Sequence, residues 1–81
     1  MTYNRLEQDQ QALADYNQTI QLDPNAAEAY FNRGLTQYRL GDEPKAITDL
    51  TKAASLFNAQ GKGDMAQKAE AILTQIRAIE A

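Results

Sequence analysis

The sequence resembles itself at a shift of 34 residues, and this constrains the fold more than any other feature. Laying residues 1–26 over 35–60 produces six identities: Thr2/Thr36, Arg5/Arg39, Leu6/Leu40, Ala12/Ala46, Asp15/Asp49 and Leu22/Leu56. Leu13/Ile47 and Tyr16/Leu50 are conservative pairs in the same alignment. A period of this length marks a small structural unit that cannot bury its apolar face alone and must stack on a neighbour. The chain therefore carries most of two copies of one unit, followed by a tail.

Composition decides what the unit is made of. Ala occurs 14 times and Gln 9 times, whereas Val and Trp are absent. Strong helix formers dominate and β-branched residues are few, so the expected fold class is all-α. Asp23-Pro24-Asn25 stops one helix and offers Asn25 as the N-cap of the next. Gly41 closes that helix, Asp42 caps the following one, and Pro44 falls in its first turn. Gly61-Lys62-Gly63 breaks the chain again, with Asp64 as the next N-cap. These marks predict five helices: a stub over 1–6, then 9–22, 26–40, 43–59 and 65–79. Apolar stripes support the four longer ones. They are Ala12, Leu13, Tyr16 and Ile20; Tyr30 and Gly34; Ala46, Ile47, Leu50, Ala53, Ala54 and Phe57; and Met65, Ala69, Ile72, Leu73, Ile76 and Ile79. Short connections make successive helices antiparallel neighbours.

Several function classes are excluded by residue type. The chain has no Cys and no His, which removes disulfides, thiol chemistry, zinc fingers and histidine-based catalysis. Ser55 is the sole serine and has no imidazole to activate it. The formal net charge of -3 argues against nucleic acid or an anionic membrane as partner. No apolar run approaches a membrane span, and the N-terminus shows no signal peptide, so a soluble cytoplasmic setting is expected. Gly61-Lys62-Gly63-Asp64 lacks the spacing of a phosphate loop. Asp15 and Asp49 recur once per unit on second helices and are expected to face solvent. No catalytic, cofactor-binding or metal-binding residue is assigned.

Ala27-Glu28-Ala29-Tyr30-Phe31-Asn32-Arg33-Gly34, followed by Ala46, Leu50 and Ala53, resembles the tetratricopeptide repeat (TPR). Tyr30, Gly34, Ala46, Leu50 and Ala53 stand at five of the family's signature positions, and Asn58 replaces the usual proline at the sixth. A glycine inside a helix costs about 1 kcal/mol in propensity. Close approach of two paired helices would account for Gly34. The preceding unit fits the pattern through Tyr3, Ala12, Tyr16 and Pro24, with Glu7 where glycine is usual and Thr19 where alanine is usual. Arg33 and Gln37 replace apolar family residues, and Arg33 is expected to extend its head group outwards. The resemblance divides the chain into the latter part of a truncated repeat (1–26), a complete repeat (27–60), and a turn with a capping helix (61–81). Met1 would fall inside the first helix of its repeat. This implies either upstream repeats or a second chain over that edge.

The resemblance implies a non-catalytic scaffold or adaptor that binds an extended peptide in a concave groove lined by first helices. It places groove contacts at Glu28, Phe31, Asn32, Leu35, Tyr38 and Arg39, and at Arg5 in the truncated unit. Glu28, Asn32, Leu35 and Arg39 share one helix stripe by their spacing. In family members that hold a C-terminal carboxylate, an Asn at the place of Asn32 holds the peptide backbone. The matching Lys and Asn of the preceding helix are missing here, and Lys68 is the nearest candidate on the following one. Phe31, Leu35 and Tyr38 either pad a neighbouring helix or form an apolar strip for ligand. Arg5 and Arg39 in equivalent places lead to the expectation of an acidic or carboxylate-bearing peptide. A protein or peptide is thus the expected partner. The alternative is self-association into a weak homo-oligomer through the N-terminal repeat edge.

Overall fold

The computed structural model describes residues 5–80 and contains four helices: α1 (Arg5–Leu22), α2 (Ala27–Arg39), α3 (Glu43–Ala59) and α4 (Gly63–Glu80). There is no strand among the described residues. Residues 1–4 of the expected stub lie outside them. The expected fifth helix is corrected: Arg5 and Leu6 belong to α1, which runs through positions 7–8 without a break. The reason is local. Glu7-Gln8-Asp9-Gln10 contains neither glycine nor proline, and nothing in it opposes helix propagation.

The other boundaries follow their punctuation, with two changes of detail. Gly41 (φ 87°) and Gly61 (φ 75°) adopt the left-handed conformation that ends α2 and α3. Asp42 N–H then donates to Gln37 carbonyl at 2.9 Å, and Lys62 N–H to Phe57 carbonyl at 2.8 Å. The Asp42 side chain caps α3 by accepting from Lys45 N–H. Asn25, however, is not the cap of α2. That position belongs to Ala26, and the Asn25 N–H instead donates to the Asp23 carboxylate at 3.0 Å, a turn of its own. Asp64 likewise falls inside the first turn of α4, which begins at Gly63.

α3 is the central element. Ala46, Leu50, Ala53, Ala54 and Phe57 are buried along it, several completely. Gly34 of α2 lies against α3 so closely that an added Cβ would sit 3.0 Å from Leu50 Cγ and 3.2 Å from the Ala46 carbonyl oxygen. α4 packs on α3 as well, burying Ala66, Ala69, Leu73 and Ile76, and its apolar residues meet those of α2 in the same clusters. Tyr30, Ile47, Leu56 and Ile72 complete the packing as half-buried residues. Ile79, counted in the apolar stripe, lies beyond it and is 71% exposed. Gln67, Glu70, Gln75 and Arg77 face water, as expected.

α1 is held differently. Its expected stripe, Ala12, Leu13, Tyr16 and Ile20, is only half-buried against α2, and the one buried residue of the helix is Asp9.

Candidate functional site

α2 is covered on most of its circumference. Gly34 faces α3. Phe31, Leu35 and Tyr38 pack on the cluster of Leu50, Leu73 and Ile76, so they pad the α3–α4 face while staying partly exposed. Phe31 also meets Phe57 edge-to-face, with ring centroids 6.3 Å apart. Thr36 is buried on the side where α1 approaches, beneath Arg39. What remains open is the line Glu28, Asn32 and Arg39, with Leu35 at its edge. The stripe inferred from spacing is therefore a real surface strip.

Arg39 is not a free cation on that strip. Its Nη2 donates to Asp9 Oδ1 of α1 at 2.9 Å and to Thr36 Oγ1 at 3.3 Å. The bond to Asp9 raises the Arg39 guanidinium above its ordinary value, opposing the effect of burial. Arg5 is exposed and lines an open cleft of about 460 Å³ with Leu6, Asp9, Arg39 and Leu40. The structure thus brings Arg5 and Arg39 to one place, although Arg5 stands on the continuous α1 and not on a separate first helix. Lys68 is exposed on α4.

A second polar cluster joins three helices on another side. Arg33 grips Asp49 of α3 with two parallel bonds, Nε to Oδ2 at 2.6 Å and Nη2 to Oδ1 at 2.8 Å. Its Nη1 donates to Asn17 Oδ1 of α1 at 2.9 Å, and its Cζ lies 5.4 Å from the centroid of the Tyr30 ring. With the Gln37 amide turned so that its nitrogen faces acceptors, it reaches the Lys45 carbonyl at 3.1 Å and Asp49 Oδ2 at 2.8 Å. Two expectations are corrected here. Asp49 is buried, not solvent-facing, and Arg33 turns inwards to it. A buried carboxylate needs a paired, hydrogen-bonded cation, and Arg33 with Gln37 supplies both. Asp15, the counterpart of Asp49 one period earlier, does face solvent. The Arg33 guanidinium is raised above its ordinary value, mainly by its hydrogen bonds to Asp49. A raised arginine stays charged through the neutral range, so the pair does not dissociate from the arginine side except in strong alkali.

Asn17, Asp9 and Asp49 were absent from the sequence-based list. Asp49 left a signal, because two polar residues on α2, Arg33 and Gln37, occupy places that are otherwise apolar. Asp9 left none, since the expected break beside it hid its position on a continuous helix.

Four antiparallel helices, a close-packed glycine and a repeated register define a helical-repeat protein. The family model described as "TPR repeat" matches residues 2–41, and the model described as "Tetratricopeptide repeat" matches residues 27–59. The chain carries tetratricopeptide repeats over residues 2–59. It is 45% identical over 51 residues to tetratricopeptide repeat protein 36 of Danio rerio. The match covers 63% of this chain and 27% of that relative, so the chain spans only about a quarter of the relative's length. No solved structure gives a significant match. Repeats of this family generally mediate protein–protein interaction, and no described helix is long and apolar enough to cross a membrane.

Proposed function

We propose that the chain is a non-catalytic protein–protein interaction module that receives an extended peptide segment along α2. Residues 27–60 act as the complete repeat, residues 1–26 as the latter part of another, and 61–81 as the turn and capping helix. The observation that carries this reading is the open strip of Glu28, Asn32 and Arg39 on a helix whose other faces are covered. Asn32 offers both an amide donor and an acceptor to a peptide backbone. The exposed parts of Phe31, Leu35 and Tyr38 offer apolar contact beside it, and Arg5 closes the strip near Arg39. Firm packing of α2 on α3 gives the strip a rigid base, which lowers the ordering cost of binding.

The test is a titration followed by amide NMR. Three short peptides share the same apolar residues and carry acidic, neutral or basic residues between them. Shifts concentrated at Asn32, Leu35 and Arg39 with at least one peptide are expected. No response to any of them, or a response confined to the outer face of α4, overturns the reading.

A further inference from the structure

We propose that Asp9 is an internal stand-in for a ligand carboxylate at Arg39 and so sets the charge selectivity of the α2 strip, against acidic peptides and towards neutral apolar ones. The inference rests on the peptide-binding reading above and adds its selectivity.

Arg39 meets its partners through a planar guanidinium. Its two-point edges are the Nε/Nη2 side and the Nη1/Nη2 end, and Nη2 is common to both. A carboxylate bound with two parallel bonds must therefore use Nη2, as Asp49 does on Arg33. In Arg39, Nη2 is engaged twice, by Asp9 Oδ1 and by Thr36 Oγ1. With Nη2 already holding two acceptors, a carboxylate fork on either edge must compete with them for it. The Asp9 side chain is only 10% exposed, whereas that of Arg39 is 48% exposed. The arginine is thus visible to a ligand but already answered from beneath. Like charge adds to this, because an acidic group at Arg39 would approach Asp9. Asp9 reaches this place because α1 continues through Glu7–Gln10 and projects it beside the C-terminal end of α2.

The experiment compares wild type, Asp9→Asn, Asp9→Glu and Asp15→Asn. The last makes the same charge change at an exposed site on α1. Affinities for the acidic and neutral peptides are measured for each. The acidic peptide should bind Asp9→Asn about tenfold more tightly than it binds wild type or Asp15→Asn. The neutral peptide should bind all four within about threefold. Asp9→Glu, which keeps a carboxylate, should behave as wild type. Equal binding of the acidic peptide to Asp9→Asn and Asp15→Asn overturns the proposal, as does a wild type that already prefers it.

A second arm needs no peptide. Protein labelled at arginine nitrogen is titrated with acetate, and the Arg39 Nε–H signal is followed with Arg77 as the exposed reference. Arg39 should move several-fold further in Asp9→Asn than in wild type, while Arg77 moves equally in both. The same Arg39 response in both proteins overturns the proposal even where no peptide binds, and the absence of peptide binding alone counts only against the module reading. Amide signals of α2–α4 check the groove in each variant. Loosening of α1 leaves the test standing, because Arg39 belongs to α2.

Discussion

Positions 7–10 and 41–44 are equivalent in the repeat alignment and behave in opposite ways. Gly41-Asp42-Glu43-Pro44 ends one helix and starts another. Its glycine takes the left-handed conformation, its aspartate caps α3, and its proline fits the first turn, where the missing N–H costs nothing. Glu7-Gln8-Asp9-Gln10 has none of these devices, and α1 passes straight through it. The same period in sequence thus yields a hairpin in one unit and a single helix in the other. Packing differs in parallel. α2 and α3 meet through Gly34, Ala46 and Leu50 at contact distance, whereas α1 touches α2 through half-buried side chains and one buried carboxylate. A repeat register fixes where side chains recur. It does not make a turn where the turn residues are missing.

The largest effect should come from attacking the tight pair. Gly34→Leu forces a side chain into space bounded by Leu50, the Ala46 carbonyl and Asp49. Because one neighbour is backbone, relaxation is limited, and a loss of about 3 kcal/mol is expected in chemical denaturation. A neutral result would mean that α2 and α3 do not approach as described. A smaller effect should come from erasing the working turn. Gly41→Glu with Pro44→Gln puts a side chain at positive φ and should cost about 1–2 kcal/mol. The reverse graft, Glu7→Gly with Gln10→Pro, should cost less than about 1 kcal/mol, because the loss is confined to the exposed end over 5–8 and the introduced proline then stands in the first turn of the helix that remains. Amide NMR should show helix lost only at that end. Equal costs for the two exchanges would erase the contrast between the turns.

Much of the fold was legible in the sequence because its signals were local. The stripe Ala46, Leu50, Ala53 and Phe57 predicted the buried face of α3, and Gly34 predicted the close crossing. Gly41 and Asp42 marked the α2–α3 turn directly. The break after residue 6 had no glycine or proline behind it, which is why it failed. The strip of Glu28, Asn32 and Arg39 was named through the family resemblance, and helical spacing placed its members on one face. The ion pairs Arg33–Asp49 and Arg39–Asp9 were not, since each joins residues on different helices and depends on how those helices sit together. Isolated polar residues at apolar register positions were the only trace of the first. The second required the continuity of α1 to be known.

The claim on which the comparison stands is that α1 is one helix through positions 7–10, attached more loosely than the α2–α3 hairpin. Residue-resolved amide hydrogen exchange in dilute solution tests both halves at once. Amides at 9–13 should show unbroken helical protection, with no fast-exchanging gap at 9–10, yet exchange faster than those at 46–57. A gap at 9–10, or slower exchange in α1 than in α3, would contradict it.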